Sequence, residues 1–471
     1  MVDNLVVLAF ICYLLIVFVI GIVAYKKTKN ISDYILGGRK LGAFVAALSA
    51  GASDMSGWLL LGLPGLIYTE GLKGLWLVLG LLVGIFLNWK LVAKRLRKFS
   101  VRFGNSITIP EYLENRFNDS SGILRCVSAL LILFFFTIYT SSGFVAGGKL
   151  FASIFGFPYF YSMFFGALAI LSYTFLGGFL AVSWTDAFQA MLMLMALLIV
   201  PIVAYKDIGS LQGTSVDFNF LNPFLDAEDN CYSIISILSL MAWGLGYFGQ
   251  PHILARFMAT RSTKDIKKAT IIGVSWSFLA MCGAVLAGLA GAFYFKQTLQ
   301  DPEKVFIFLV QGLFPQLLSG VCLAGILAAI MSTADSQLLV SASALTEDFY
   351  RALFRPQASQ KELVLIGRVT VLIISIIAIF LAKNPNSKVL DMVAYAWAGF
   401  GAGFGPVILL SLFWRKMNKA GAISGILSGG FSVIVWRNLT GGIFDLYEII
   451  PGFLISFFCA IVFSLINIKK V

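Results

Sequence analysis

The sequence predicts an all-helical membrane protein that crosses the bilayer about thirteen times. Hydrophobic residues make up 59% of the 471-residue chain and charged residues only 12%, and the mean hydropathy is +0.90. A soluble chain carries about twice that charged fraction. Apolar runs of about twenty residues, the length that crosses the hydrocarbon core as a helix, recur from one end of the chain to the other.

The predicted spans alternate with loops that carry charges or turn residues. In chain order they are 5–25, 43–66, 74–93, 123–153, 160–181, 186–206, 231–251, 269–295, 316–348, 364–383, 390–413, 420–437 and 446–467. The first span is interpreted as a retained helix rather than a signal peptide, because Asp3 precedes it and several lysines follow it. Two outer loops are predicted to be ordered: 206–230, which is acidic, and 296–311, whose apolar residues have amphipathic helical spacing.

Basic residues are unevenly divided between the two sides of the predicted bundle. One set of loops carries Lys26, Lys27, Lys29, Arg39, Lys40, Lys94, Arg95, Arg97, Lys98, Arg102, Arg116, Arg256, Arg261, Lys264, Lys267, Lys268, Arg351, Arg355, Lys361, Arg368, Arg415, Lys416, Lys419, Lys469 and Lys470. The other set carries only Lys73, Lys149, Lys206, Lys296, Lys304, Lys383, Lys388 and Arg437. The first set is about three times larger, which places it in the cytoplasm, with the N-terminus outside and the C-terminus inside. These clusters are interpreted as topological anchors, and the net charge of +12 does not indicate a nucleic-acid partner.

The second span, 43–66, contains residues that do not suit a continuous membrane helix. Gly51 and Gly57 lie near its middle together with the carboxylate of Asp54. Lipid satisfies neither a free backbone amide nor a bare charge, so an interrupted helix at this depth has to line a protein cavity or a solute path. The alternative is a packing kink in which Asp54 pairs with a buried cation. The wider pattern favours a site for an ion and a small polar solute.

The seventh span, 231–251, is interrupted in a similar way. It holds Gly244, Gly246, Gly249 and Pro251 close together. Single glycines in membrane helices usually indicate close packing, but three glycines and a proline are harder to explain that way. Two interrupted spans at matching positions, five spans apart, are typical of a transporter built from two five-helix halves of opposite orientation.

The ninth span, 316–348, carries hydroxyls that are suited to a sodium ion. Ser332 and Thr333 lie three and four residues after Ala329, so the three positions share one face of a helix. Two hydroxyls and a loosened carbonyl supply hard oxygens of the kind that sodium prefers. The alternative is that both hydroxyls bond back to preceding carbonyls of their own helix.

Four aromatic residues with polar tips are predicted near the middle of the membrane: Trp58, Tyr139, Trp243 and Tyr247. Such side chains shape a pocket for a small amphipathic ligand and offer hydrogen bonds to its polar end. The alternative for each is a core residue or a member of the interfacial aromatic belt.

Several charged residues near the cytoplasmic side have simpler structural interpretations. Asp186 is predicted either to cap the sixth span, which is the favoured interpretation, or to line an inward path for the ion. His252 and Arg256 are predicted to anchor the cytoplasmic rim. Solvated or capping roles suffice for Glu347 and Asp348 at a helix end, and Asp335 is expected to pair with a basic residue.

Composition excludes several classes of site. The chain has one histidine and six scattered cysteines without metal-ligand spacing, which argues against a metal centre and a disulfide framework. No phosphate-binding loop of the ATPase type is present in the sequence. No nucleophile and base can be paired, so an enzyme is not predicted, and neither is a cofactor.

With these residues identified, the chain resembles the sodium/solute symporter family, and within it the bacterial members that carry proline. The resemblance extends from residue 5 to 467. The stretches that carry it are YILGGR at 34–39, SAGASDMSGW at 49–58, GGFLAVSWTD at 177–186, WGLGYFGQPH at 243–252 and YAWAGFG at 395–401. The resemblance implies one transmembrane domain over 1–471 with a leucine-transporter-like core of five plus five inverted helices. That core would comprise 43–413, with an extra N-terminal helix at 5–25 and two C-terminal helices within 420–467.

The resemblance also implies roles for particular residues. Sodium would be held by the carbonyls of Ala52, Met55 and Ala329 and the hydroxyls of Ser332 and Thr333. Asp54 would serve sodium binding and coupling, and Asp186 would serve the inward movement of sodium. The solute, L-proline, would contact Ser56, Gly57, Trp58, Tyr139, Trp243, Tyr247 and Pro251.

The implied function is sodium-coupled uptake of L-proline across the bacterial cytoplasmic membrane by alternating access. Sodium is then a co-substrate, and lipid is the surrounding partner. Alternatives are a different solute such as pantothenate, a sugar or a short carboxylate, and a channel or sensor built on the same fold. Proton coupling through Asp54 is a further alternative, against which the hydroxyl-rich ninth span argues.

Overall fold

The structure is a computed structural model, and it describes residues 4–27, 31–174, 178–208, 220–225 and 231–466. This part of the chain is helical, with two isolated β-bridges and no β-strand. The α-helices, in chain order, are α1 (Asn4–Tyr25), α2 (Ile31–Leu36), α3 (Ala43–Asp54), α4 (Leu63–Glu70), α5 (Leu75–Leu87), α6 (Lys94–Arg102), α7 (Ile109–Arg116), α8 (Ile123–Phe155), α9 (Tyr159–Thr174), α10 (Phe179–Ile208), α11 (Ile234–Met241), α12 (Pro251–Ala259), α13 (Thr263–Tyr294), α14 (Val305–Leu313), α15 (Gln316–Ser343), α16 (Gln360–Leu381), α17 (Val389–Phe413), α18 (Lys419–Trp436) and α19 (Ile449–Ile466).

The described helices include 10 that are long and apolar enough to cross a membrane. Two other apolar helices, Tyr159–Ser172 and Ile234–Gly249, are shorter. The predicted second span is divided between α3 and α4. The all-helical membrane class is therefore confirmed, while the number of thirteen crossings stays a prediction.

Both predicted interruptions are present. In the second span, α3 ends at Asp54, Met55 leaves helical geometry with φ −87° and ψ 80°, and helical structure resumes at Trp58. In the seventh span, α11 gives way to a 3₁₀ segment, Ala242–Gly249, before α12 begins at Pro251. Proline at the first helical position fits this restart, because its missing N–H would have had no partner there.

Glycine makes the second interruption sterically possible. A β-carbon on Gly246 would lie 1.8 Å from the indole nitrogen of Trp397, and one on Gly249 would lie 2.1 Å from the Phe400 carbonyl oxygen. Both contacts are with α17, so this helix passes directly against the interrupted backbone. The glycines therefore serve close packing as well as the break itself.

Two differences from the predicted helices change the interpretation of particular residues. Residues 94–102, predicted as a cytoplasmic loop, form α6, because lysine and arginine favour helices and Leu96 is buried. The helix α10 begins at Phe179 rather than at 186. Asp186 therefore lies inside this helix, and the prediction that it caps the sixth span was wrong.

The centre of the molecule is α15, which packs against α1, α3, α8 and α10. Nearly every side chain from Ser319 to Ser343 on this helix is buried. The outer loop that follows α13 forms α14, with Val305, Phe306, Leu309 and Val310 fully buried, so its predicted amphipathic order is confirmed. The other loop predicted to be ordered, 206–230, lies mostly outside the described residues.

Candidate ion and solute site

Oxygen atoms from α3 and α15 meet beside the first interruption. The Ser332 and Thr333 hydroxyls both donate to the carbonyl oxygen of Ala52, at 2.8 Å and 3.2 Å. Ser332 Oγ also lies 3.1 Å from the carbonyl oxygen of Ala329. The structure thus brings together four of the five predicted sodium ligands.

The geometry distinguishes the two interpretations of these hydroxyls. Ser332 lies within hydrogen-bond distance of a carbonyl of its own helix and of the Ala52 carbonyl, and Thr333 reaches across to α3. The fifth predicted ligand, Met55, is buried at the point where α3 ends. Neutral carbonyl and hydroxyl oxygens at a helix break form a donor set that suits a sodium ion, and the placement of the Met55 carbonyl as a ligand stays a prediction.

Asp54 lies at the end of α3 and is only 2% exposed. One carboxylate oxygen accepts a 2.6 Å hydrogen bond from the Tyr247 hydroxyl, and the other has no hydrogen-bond partner among the described residues. Its backbone carbonyl accepts from the Trp58 indole at 3.2 Å and the Tyr139 hydroxyl at 3.3 Å. Asp54 therefore connects the two interruptions directly, and an acid so placed within a membrane is typical of a functional site.

The four predicted aromatic residues form one cluster around this acid. The rings of Trp58 and Trp243 lie 6.4 Å apart, and Trp243 stacks on Tyr447 at 5.6 Å. The Tyr139 hydroxyl on α8 donates to the Asp54 backbone carbonyl, and the Tyr247 hydroxyl in the 3₁₀ segment donates to the Asp54 carboxylate. All four are buried, so they are not members of an interfacial belt.

The remaining predicted solute residues lie in two places. Ser56 and Gly57 form the gap itself, and a β-carbon on Gly57 would lie 2.8 Å from the Ala146 methyl group and 3.2 Å from Ile330. Pro251 lines a separate small cavity of about 20 Å³, together with Thr108 and Asp348. The place of Pro251 beside the solute therefore stays a prediction.

A buried ion pair lies on the side of the site that the distribution of basic residues predicts to face the cytoplasm. Asp186 accepts from Arg256 at 3.1 Å and from Ser49 at 2.7 Å, and neither charged side chain is exposed. Arg256 also donates to the Ser336 hydroxyl and to the His252 carbonyl. This network ties α3, α10, α12 and α15 together, so His252 and Arg256 are buried between helices, and their role as anchors of the cytoplasmic rim stays a prediction.

Glu347 and Asp348, for which solvated or capping roles were predicted, are instead buried and paired with arginines. Asp348 is fully buried and accepts from Arg125 at 2.8 Å and from Thr108 at 2.7 Å. Glu347 is 4% exposed and pairs with Arg351. Residues 344–354 continue as a helix that packs against α7 and α8, and this packing removes both acids from solvent.

An ion-pair cluster lies on the opposite side of the site, which is predicted to face outward. The Lys149 ammonium lies 2.7 Å from Glu303 and 3.0 Å from Asp301, and Lys149 and Glu303 are both buried. The Glu303 carboxylate also accepts from the backbone N–H groups of Val389 and Leu390, which begin α17. Ion pairs therefore lie on both sides of the central site.

Two residues of the site, Asn88 and Trp397, were not predicted from the sequence. Asn88 Nδ2 donates to the Tyr247 carbonyl at 2.9 Å, and its only sequence signal is being polar inside an apolar run. Trp397 donates from its indole to the Trp243 carbonyl at 2.8 Å and packs edge-on against Tyr247. Both residues support the backbone of the second interruption.

Two interrupted helices that meet at a buried acid, beside neutral oxygens from α3 and α15, define an ion-coupled secondary transporter rather than an enzyme within this all-helical membrane fold. Comparison with known families agrees with this class. The chain belongs to the Sodium:solute symporter family, whose model matches residues 34–429.

Relatives and a solved structure cover nearly the whole chain. The high-affinity proline transporter PutP of Bacillus subtilis (strain 168) is 52% identical over 441 residues, which is 93% of each chain. The sodium/proline symporter of Escherichia coli (strain K12) is 50% identical over 467 residues, covering 97% of this chain and 92% of that protein. A Na⁺-coupled sialic acid symporter in a substrate-bound outward-open state matches both full chains with a TM-score of 0.80 at 17% identity. The leucine-transporter-like fold is thereby confirmed.

Proposed function

We propose that this chain is a sodium-coupled symporter that takes up L-proline across the bacterial cytoplasmic membrane. The observation that carries this conclusion is identity of about one half, over almost the full length, to proteins named for proline transport and sodium coupling. The family and the fold place the protein in the membrane as a transporter, with sodium as its co-substrate.

Sodium is proposed to bind where α3 meets α15. The ligands would be the carbonyls of Ala52, Met55 and Ala329 and the hydroxyls of Ser332 and Thr333. Support comes from the two hydroxyls converging on one carbonyl at a helix end. An ion bound there would draw α15 and the interrupted helix together and fix the geometry of the break.

L-Proline is proposed to bind at the gap between the two halves of the second span. The half-helix that begins at Trp58 presents its N-terminus to this gap, and the positive end of a helix dipole suits the carboxylate of an amino acid. The rings of Trp58, Tyr139, Trp243 and Tyr247 would enclose the apolar pyrrolidine ring. Pro251 would lie on the cytoplasmic side of the bound solute.

The energetics of the proposed cycle suit solute accumulation. Proline is a zwitterion without net charge, so the membrane potential acts on sodium alone. One charge moving through about 100 mV contributes roughly 2.3 kcal/mol, and a tenfold sodium gradient adds about 1.4 kcal/mol. With one sodium per proline, the sum sustains accumulation on the order of a few hundredfold. Asp54 and Asp186 are proposed to couple the ion to the conformational change.

Proteoliposomes test the proposal. Purified protein is reconstituted, and radiolabelled proline is followed under an inward sodium gradient, a potassium gradient and a proton gradient. We expect a transient accumulation above equilibrium with sodium only. Sodium-driven uptake of pantothenate or a sugar without proline uptake would contradict the solute, and proton-driven uptake would contradict the ion.

A further inference from the structure

A cavity of about 690 Å³ lies at the cytoplasmic end of the helices, away from the central site. Four arginines line it: Arg95 and Arg102 on α6, Arg116 at the end of α7, and Arg415 just after α17. They come from three separate parts of the chain. The cavity lined by these four arginines is called the arginine cavity. The sequence interpretation of the basic clusters as topological anchors does not account for such convergence.

Aromatic rings and backbone carbonyls hold two of these guanidinium groups in place. Arg95 lies over the Phe413 ring at 3.9 Å, and Arg116 lies over Phe103 at 5.1 Å. Arg116 Nε also donates to the Ser411 carbonyl at 3.2 Å. A guanidinium group stacked on a ring keeps its planar set of donors ordered and only weakly hydrated.

The neighbouring acids are engaged elsewhere. Glu114 pairs with Arg125 at 2.9 Å, and Asp119 pairs with Lys419 at 2.7 Å. Burial raises the pKa of Asp119, but hydrogen bonds from Lys419 and Ser121 outweigh this effect and lower the pKa to about 2. Among the described residues, none of the four arginines forms an ion pair.

Four like charges around one cavity repel one another, and an anion bound between them relieves that repulsion. Arginine donors match phosphate oxygens in pairs, so phosphate is the anion that these groups suit best. Two exposed apolar side chains lie beside Arg95. Leu91, one helical turn before Arg95, is 37% exposed, and Phe413 is 44% exposed.

From these observations we propose that the arginine cavity binds the phosphate headgroup of an anionic phospholipid of the cytoplasmic leaflet. The acyl chains lie along Leu91 and Phe413. Basic pockets between helices on the cytoplasmic side are suited to such headgroups. The apolar approach from the membrane favours a lipid over free phosphate.

Native mass spectrometry of the full-length protein tests the proposal, with phosphatidylglycerol and phosphatidylcholine as the two added lipids. We expect preferential retention of phosphatidylglycerol, and an affinity roughly tenfold lower in the double variant R102Q/R415Q. Both arginines are exposed. The matched control K264Q/K268Q removes two exposed charges from the start of α13, and its affinity should equal that of the parent.

Three outcomes would overturn the proposal. The first is equal binding of the two lipids. The second is an equal loss of binding in the control variant, which would indicate attraction by overall charge. The third is displacement of the lipid by inorganic phosphate at comparable concentration, which would indicate a site for the free anion. Proline uptake by R102Q/R415Q verifies folding, and the single variant R415Q, outside the helices, replaces the double variant if it does not fold.

Discussion

The proposed ion site can be tested by substitutions that remove the hydroxyl oxygen of Ser332 or of Thr333. Both point to the Ala52 carbonyl, so removing either one deletes a proposed sodium ligand without opening a large cavity. We expect Thr333→Ala and Ser332→Ala each to raise the sodium concentration for half-maximal proline uptake by about tenfold or more, which corresponds to the loss of one good oxygen contact. Uptake at varied sodium concentration measures this.

The matched control is Thr370→Ala on α16. The Thr370 hydroxyl is also buried, and among the described residues its one hydrogen bond is to the Ile366 carbonyl of its own helix. Its sodium dependence should equal that of the parent. An unchanged sodium dependence in both site variants would place the sodium elsewhere.

Tyr247 provides the second test at the residue scale, because its hydroxyl is the only side-chain donor that the structure gives to the Asp54 carboxylate. We expect Tyr247→Phe to weaken proline binding by roughly tenfold or more, since a buried carboxylate left without a donor costs about 1–3 kcal/mol. The KM for proline measures the effect. Tyr159→Phe, which loses a hydrogen bond to the Ala382 carbonyl far from the site, should leave KM unchanged.

At the scale of elements, the interruptions were predictable from sequence and their partners were not. Gly51, Gly57 and Asp54 indicate one break because lipid tolerates neither a free amide nor a charge. The start of α10 was misplaced because Asp186 resembles a helix cap in the linear sequence. Its partner Arg256 lies 70 residues further along the chain, so only the fold reveals that the acid is paired inside a helix.

The close packing of α17 against Gly246 of the 3₁₀ segment can be tested by substitution. We expect Gly246→Ala to reduce the proline uptake rate by about tenfold or more, because the new methyl group would displace Trp397 from the Trp243 carbonyl. Uptake and thermal unfolding of the purified variant measure this. In Gly21→Ala, by contrast, the methyl group meets nothing within 4 Å, and wild-type uptake is expected. Normal activity of Gly246→Ala would show that this contact has no importance for transport.

At the scale of the whole molecule, the distribution of basic residues in the sequence predicts which side of the bundle faces the cytoplasm. It does not show which charged side chains are buried. Lys149 was assigned to an outer loop, yet it is buried and paired with Glu303. Asp348 was expected at a solvated helix end, yet it lies in a buried network with Arg125. Both pairs form between segments far apart in sequence, and periodicity does not detect such contacts. The division into a 43–413 core and three added helices stays a proposal.

The outer ion pair gives a prediction at this scale. In Glu303→Ala, Lys149 would keep only Asp301 as a partner, and the N–H groups of Val389 and Leu390 would lose their acceptor. Breaking a buried pair typically costs about 3–5 kcal/mol, so we expect slower uptake and a lower unfolding temperature. Glu362→Gln removes the charge from a pair with the exposed Arg355 and keeps an acceptor for the Tyr350 hydroxyl, so it should have little effect on either quantity. Equal behaviour of the two variants would contradict a role for the outer pair.

The central claim is that sodium at the α3–α15 contact prepares the interrupted helix for proline. Equilibrium binding of radiolabelled proline to the purified protein, at sodium concentrations from zero upward, tests it most directly. We predict that sodium strengthens proline binding by roughly 5–150-fold, and that Thr333→Ala shifts this effect to higher sodium concentration. Proline affinity that is independent of sodium would contradict the account.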